Sequence, residues 1–213
     1  PIDYSSDDFD AVMSFRDQKK QFSLAYHASL FDNNQGSFGW ENPYNSINGW
    51  TPVVVGFPNG EGQAGGPPEN QFPQVSAAGG SNFSGTMRLD GDLVYGRMTQ
   101  DDDYLPYTIN PALAATITQP LPRGSLDARI DTTLGNLRLS GRPTDRLRCN
   151  AGLRYADRDN KPPRDEYVYI GGDSLAQNTG VTSSFRRFNT PMSYSETRFR
   201  GDVGYRVADW LDA

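Results

Sequence analysis

The chain has 213 residues, 36% of them hydrophobic and 12% aromatic, with a mean hydropathy of -0.66 and a formal net charge of -6. That acidity argues against a nucleic-acid partner, which needs a basic surface, and no run approaches the ~18 apolar residues of a membrane-crossing helix. One cysteine, Cys149, and one histidine, His27, exclude an intrachain disulfide, a Cys/His zinc cluster and a c-type haem attached by a Cys-x-x-Cys-His of this chain.

Polar on average yet rich in Tyr, Phe and Gly, the composition suits strands in which only every second residue is apolar. The first candidate places Phe9, Ala11, Met13 and Phe15 on one parity, and a turn follows at Asp17-Gln18-Lys19-Lys20. The second is the clearest: Phe22, Leu24, Tyr26, Ala28 and Leu30 alternate with Gln21, Ser23, Ala25, His27 and Ser29. The third, Gln71 to Phe83, is the weakest, being rich in Gly and Ala and interrupted by Pro73. Next, Met87, Leu89, Gly91, Leu93 and Tyr95 alternate with Arg88, Asp90, Asp92 and Val94.

In the fifth candidate, Leu126, Ala128, Ile130, Thr132 and Leu134 alternate with Asp127, Arg129, Asp131 and Thr133. Leu137 and Leu139 then continue on the other parity, which predicts a β-bulge near Asn136. The sixth sets Leu147, Cys149, Ala151, Leu153 and Tyr155 against Arg148, Asn150, Gly152 and Arg154. The last sets Phe199, Gly201, Val203, Tyr205 and Val207 against Arg198, Arg200, Asp202, Gly204 and Arg206.

Short turns are expected at 17–20, around Ser84-Gly85, at 142–146 and from Ala208, with long segments at 32–70, 100–124 and 157–191. Loops of that length are uncommon in compact soluble domains. Alternating short turns and long loops belong to an outer-membrane barrel, short turns periplasmic and long loops extracellular. The expected fold is therefore all-β: about seven antiparallel up-and-down transmembrane strands of a larger barrel. A soluble β-sandwich or solenoid is the competing architecture.

Several short motifs follow one another along the chain. They are Ser29-Leu30-Phe31-Asp32-Asn33, Trp40-Glu41-Asn42-Pro43-Tyr44, Pro68-Glu69-Asn70-Gln71 and Tyr95-Gly96-Arg97-Met98-Thr99-Gln100-Asp101-Asp102. Leu105-Pro106-Tyr107-Thr108 and Leu121-Pro122-Arg123-Gly124-Ser125-Leu126-Asp127 follow. Asp157-Arg158-Asp159-Asn160, Tyr169-Ile170-Gly171-Gly172-Asp173 and Asn189-Thr190-Pro191 complete the set. On these motifs the chain resembles, over nearly its whole length, the MtrB/PioB family, the outer-membrane barrel partner of decahaem c-type cytochromes. The resemblance implies a barrel of more than twenty strands in a longer chain, sheathing a multihaem cytochrome that crosses the outer membrane, with an extracellular multihaem cytochrome often docked outside. Seven strands cannot close such a barrel, and an odd number cannot close a standard antiparallel one. Residues 1–213 are thus expected to be one segment of an incomplete barrel domain, and Pro1, without an initiator Met, fits a processed or trimmed chain. The family's frequent N-terminal Cys-x-x-Cys is not in this segment.

Facing membrane lipid, the expected residues are Phe22, Leu24, Tyr26, Leu89, Leu93, Tyr95, Leu147, Leu153, Tyr155, Phe199, Val203 and Tyr205. Of these, Tyr26, Tyr95, Tyr155 and Tyr205 suit an aromatic girdle. Facing the lumen and the partner, the expected residues are His27, Arg88, Asp90, Asp92, Arg129, Asp131, Arg148, Arg154, Arg198, Arg200, Asp202 and Arg206. An Arg facing lipid at the midplane costs roughly 2–4 kcal/mol, so these rows must meet water or protein. Haem is expected only on the partner, with His27 read as a lining residue because no second His accompanies it. Asp101-Asp102-Asp103 and the set Asp157, Asp159, Asp165 suggest Ca²⁺ in the loops, but lack EF-hand spacing and read first as solvated loops. Residues 60–68 lack the Lys-Ser/Thr of a phosphate loop. No Ser/His/Asp set or singled-out carboxylate pair marks an enzyme. The competing functions are a diffusive porin and a soluble β-rich adhesion or carbohydrate-binding module.

Overall fold

The computed structural model describes residues 2–41, 61–109, 114–170, 177, 179–180, 184–208 and 211–212. Parts of two motifs, Asn42-Pro43-Tyr44 and Gly171-Gly172-Asp173, lie outside the described residues.

Seven long strands dominate: β1 (Tyr4–Arg16), β2 (Lys20–Asn33), β5 (Asn70–Ser84), β6 (Met87–Gln100), β7 (Ala128–Thr144), β8 (Leu147–Asn160) and β11 (Tyr194–Ala208). The two-residue β12 (Leu211–Asp212) extends the same sheet, whose order is β1-β2-β5-β6-β7-β8-β11-β12 with antiparallel neighbours throughout. The long segments are not wholly loop. The first carries the hairpin β3 (Ser37–Glu41) and β4 (Glu61–Gly65), and the third carries β9 (Glu166–Val168) and β10 (Arg186–Phe188).

Period two sorts the side chains, and the register aligns them across the sheet. One unbroken row on the apolar face runs Phe15, Phe22, Gly79, Gly91, Leu137, Leu153, Phe199. The adjacent row on the other face runs Ser14, Ser23, Ala78, Asp92, Asn136, Arg154, Arg198. Leu24, Tyr26, Leu89, Leu93, Leu153 and Val203 all lie on the apolar face and all are exposed, so they enclose no core. The buried hydrophobic residues among those described are Tyr167, Val168 and Ile170, which belong to the third long segment.

Two strands depart from the sequence reading. β5 is paired along both edges, and Pro73 only interrupts its ladder. The β5–β6 pairs jump from Gln71–Thr99 to Gln74–Gly96 without a change of register, as expected for a residue lacking an N–H. The bulge expected near Asn136 is absent: β7 keeps one register with β6 from Gln100–Ala128 to Met87–Gly141. The irregularity sits instead at the turn, between Gly141 and Thr144. What looked like a phase slip is an exchange of face polarity along a regular strand. Leu137 and Leu139 continue the apolar face, whereas Ile130 and Leu134 lie on the face of Asp92 and Arg154.

Candidate functional site

The polar face is concave. Residues from β1 through β11, among them Ser14, Asp92, Arg138, Arg154 and Arg200, line one open trough of about 830 Å³. Its lining holds five arginines (Arg16, Arg138, Arg154, Arg198, Arg200) against two aspartates (Asp90, Asp92), a cationic surplus on a chain whose net charge is -6. The two aspartates are engaged. Asp90 accepts from Arg88 Nε at 2.8 Å, and Asp92 accepts from the Asn136 amide at 2.8 Å. Arg198 pairs with Glu196 on its own strand. Asp202 accepts from Asn150 at 2.8 Å, and His27 Nδ1 lies 2.8 Å from Asp10. Arg138, Arg154 and Arg200 are exposed, and their side chains have no hydrogen-bond or ion-pair partner among the described residues.

A second assembly sits at the rim where the long segments emerge. Tyr104 and Tyr167 share a hydrogen bond of 2.8 Å with their rings edge-on, and Tyr107 packs edge-on against Tyr169 at 5.6 Å. The Val168 N–H donates to the Tyr107 hydroxyl. Gln177 ties the second and third long segments together. Its carboxamide oxygen accepts the N–H groups of Thr118 and Gln119, and its amide donates to the carbonyls of Gln119 and Val168. Arg123 reaches Asp165 at 2.6 Å, which raises the guanidinium above its ordinary value. Burial, reinforced by the bond to Tyr167, pushes the Tyr104 phenol well above the ordinary tyrosine range, and burial pushes Tyr107 up as well. These tyrosines, with Leu121, Leu126 and Phe188, line a cavity of about 450 Å³. Sequence reading missed this cap, because its residues have no common period and are drawn from two distant segments.

The register places Phe22, Leu24, Tyr26, Leu89, Leu93, Tyr95, Leu147, Leu153, Tyr155, Phe199, Val203 and Tyr205 on one face. Tyr26 and Tyr95 share a row and Tyr155 lies one row away, whereas Tyr205 stands opposite Leu147 near the short turn. His27, Arg88, Asp90, Asp92, Arg148, Arg154, Arg198, Arg200, Asp202 and Arg206 take the opposite parity. Arg129 and Asp131 are a correction. Asp131 pairs across with Arg97, and Arg129 with Thr99, which puts both on the parity of Leu93 and Leu137. The absent bulge accounts for this error and for the omission of Arg138, which stands opposite Asp90 on the polar face.

Three of the six candidate loop carboxylates are engaged by protein groups. Asp102 accepts the Glu69 N–H, Asp159 pairs with Lys161, and Asp165 pairs with Arg123. Among the described residues no three His, Cys, Asp or Glu side chains gather as a metal-holding group.

The model of a family described as outer membrane beta-barrel porin, MtrB/PioB, matches residues 1–213. The chain is similar to Outer membrane protein MtrB of Shewanella baltica (strain OS185), at 26% identity over 210 residues. That match covers 96% of this chain and 28% of the relative, so the chain spans little more than a quarter of the relative's length.

Proposed function

This chain belongs to the MtrB/PioB family of outer-membrane β-barrel porins, and from that premise we propose that it forms one arc of a barrel wall sheathing a multihaem c-type cytochrome for transmembrane electron transfer. The family placement puts the chain in the outer membrane and outside the enzyme families, and it removes the soluble adhesion or carbohydrate-binding module expected as an alternative. In this reading the apolar face meets lipid and the concave polar face meets the partner. Residues 1–213 are one segment of an incomplete barrel, and the electrons travel through haems that the partner carries.

The observation that carries the proposal is the arginine surplus of the trough. Arg138, Arg154 and Arg200, without carboxylate partners among the described residues, suit haem propionates and acidic side chains through charge-assisted hydrogen bonds. A lining that served only to wet the lumen would do as well with its charges paired internally. The test is Arg154→Glu together with Arg200→Glu in the full-length protein. Retention of the cytochrome during purification should fall by at least about tenfold, the effect of losing 1.4 kcal/mol, with the barrel still inserted. Unchanged retention and unchanged electron flux would leave the second reading, a diffusive porin. The open, polar trough favours that reading too, and it predicts free passage of small solutes.

A further inference from the structure

One charge cluster plays no part in the trough or the loop cap. Two residues beyond Tyr95, Arg97 Nε reaches Asp131 at 2.9 Å. Arg129 Nη2 reaches the same carboxylate at 2.7 Å and Lys161 Nζ at 3.2 Å. Lys161 also reaches Asp159 at 3.1 Å, and Arg97 donates to the Tyr95 hydroxyl at 3.0 Å. The Asp131 side chain is only 12% exposed, whereas those of Arg97, Arg129 and Lys161 are 42%, 40% and 41% exposed. Three cations thus surround one nearly buried carboxylate, with a second carboxylate at the edge. Positive charge remains in excess, and the guanidinium forks of Arg97 and Arg129 each keep Nη1 without a partner among the described residues.

The position is as specific as the chemistry. Arg97, Arg129 and Asp131 share the parity of Leu93 and Leu137, which are exposed. Arg97 stands about 7 Å beyond Tyr95 along the strand, at roughly 3.4 Å per residue, toward the rim of the long segments. In an outer-membrane barrel with those segments outside, that is the height of the outer-leaflet headgroups, just above the aromatic level.

We propose that Arg97, Arg129 and Lys161, set in place by Asp131, form a binding site for the phosphate groups of outer-leaflet lipid A. Planar guanidinium forks suit phosphate oxygens, and the lysine adds a point charge beside them. Asp131 is a positioning residue that holds the three cations together against their mutual repulsion. The proposal rests on the outer-membrane placement with the long segments outward, and it does not require a cytochrome partner.

The experiment measures binding of bisphosphorylated lipid A, and of lipid A stripped of its phosphates, to the full-length barrel in detergent. The phosphorylated form should bind at least about tenfold more tightly, as charge-assisted contacts require, and Arg97→Gln with Arg129→Gln and Lys161→Gln should abolish that preference. Should the triple variant not insert, Lys161→Gln decides, because it leaves both arginines on Asp131. It should weaken the phosphorylated lipid about threefold and leave the stripped lipid unchanged. Retention of the tenfold preference by the inserted triple variant, no change with Lys161→Gln, or equal binding of the two lipids by the unmodified barrel would each overturn the site. Displacement of lipid A by millimolar inorganic phosphate would make it a site for small anions and overturn the lipid assignment. Cytochrome retention is read separately, so its loss or survival does not bear on this result.

Discussion

At Gly141 the backbone adopts φ +148°, and an added Cβ would run into the Thr86 carbonyl oxygen. The residue opens the irregular stretch where β7 leaves its register with β8, and the Arg142 N–H donates to that same carbonyl at 2.9 Å. Gly141→Ala is expected to destabilise the barrel by about 1–3 kcal/mol, read as a lower unfolding midpoint in urea in detergent. An unchanged midpoint would mean that the turn relaxes freely. The loop cap responds to pH instead. Tyr104 and Tyr107 have raised folded-state values, so the stability they lend is present below the ordinary tyrosine value near 10 and is lost above it. The cap should become protease-sensitive as pH rises above about 10, and Tyr104→Phe with Tyr107→Phe should remove that pH dependence. Protease sensitivity of the cap that does not change between about pH 7 and 11 would contradict this. None of the cap was legible in the sequence, since Gln177 bonding Thr118 and Gln119 depends on contacts 58 and 59 residues apart that no local pattern encodes.

The strands themselves were legible wherever one face is apolar from end to end, as in Phe22, Leu24 and Tyr26 of β2. β7 was misread because period-two reasoning assumes that each face keeps its polarity. On β6, Tyr95 is followed on the same face by Arg97 and Thr99, while Met98 joins Ile130 on the other. A strand that outruns the bilayer has no reason to stay apolar outside beyond the headgroups, and the crossover marks the edge of the band. On β8 the apolar face runs from Leu147 to Tyr155, nine residues. That is about 27 Å along the strand and roughly 20 Å across a membrane after a tilt of ~40°, close to the ~25 Å band of such barrels. Leu93→Arg should therefore cost roughly 2–4 kcal/mol on insertion, whereas Val94→Arg, one residue on and facing the trough, should cost far less. Folding yields into lipid vesicles would show the contrast, and equal yields would sink the assignment of faces.

At the scale of the whole molecule, neighbouring strands pair antiparallel without a crossover, save where a short hairpin rises from a long segment. Up-and-down order sends every short turn to one rim and every long segment to the other. The turns at that first rim are tight, with the Asp17 N–H on the Lys20 carbonyl and the Leu147 N–H on the Thr144 hydroxyl. The opposite rim holds the cap of the second and third long segments and the cluster around Asp131. Both rims carry exposed basic residues, so trypsin can report which one faces outward. Lys19 and Arg146 lie in the short turns, while Arg164 and Arg187 lie in the third long segment. Both are exposed, Arg164 stacking over Phe188 at 4.9 Å and Arg187 standing in β10 beside the cavity of the cap. Trypsin added to intact cells should cut after Arg164 and Arg187 and should spare Lys19 and Arg146 until the outer membrane is breached. Early cleavage after Lys19 or Arg146 in intact cells would invert the topology, and with it both the lipid A site and the direction from which a partner enters the trough.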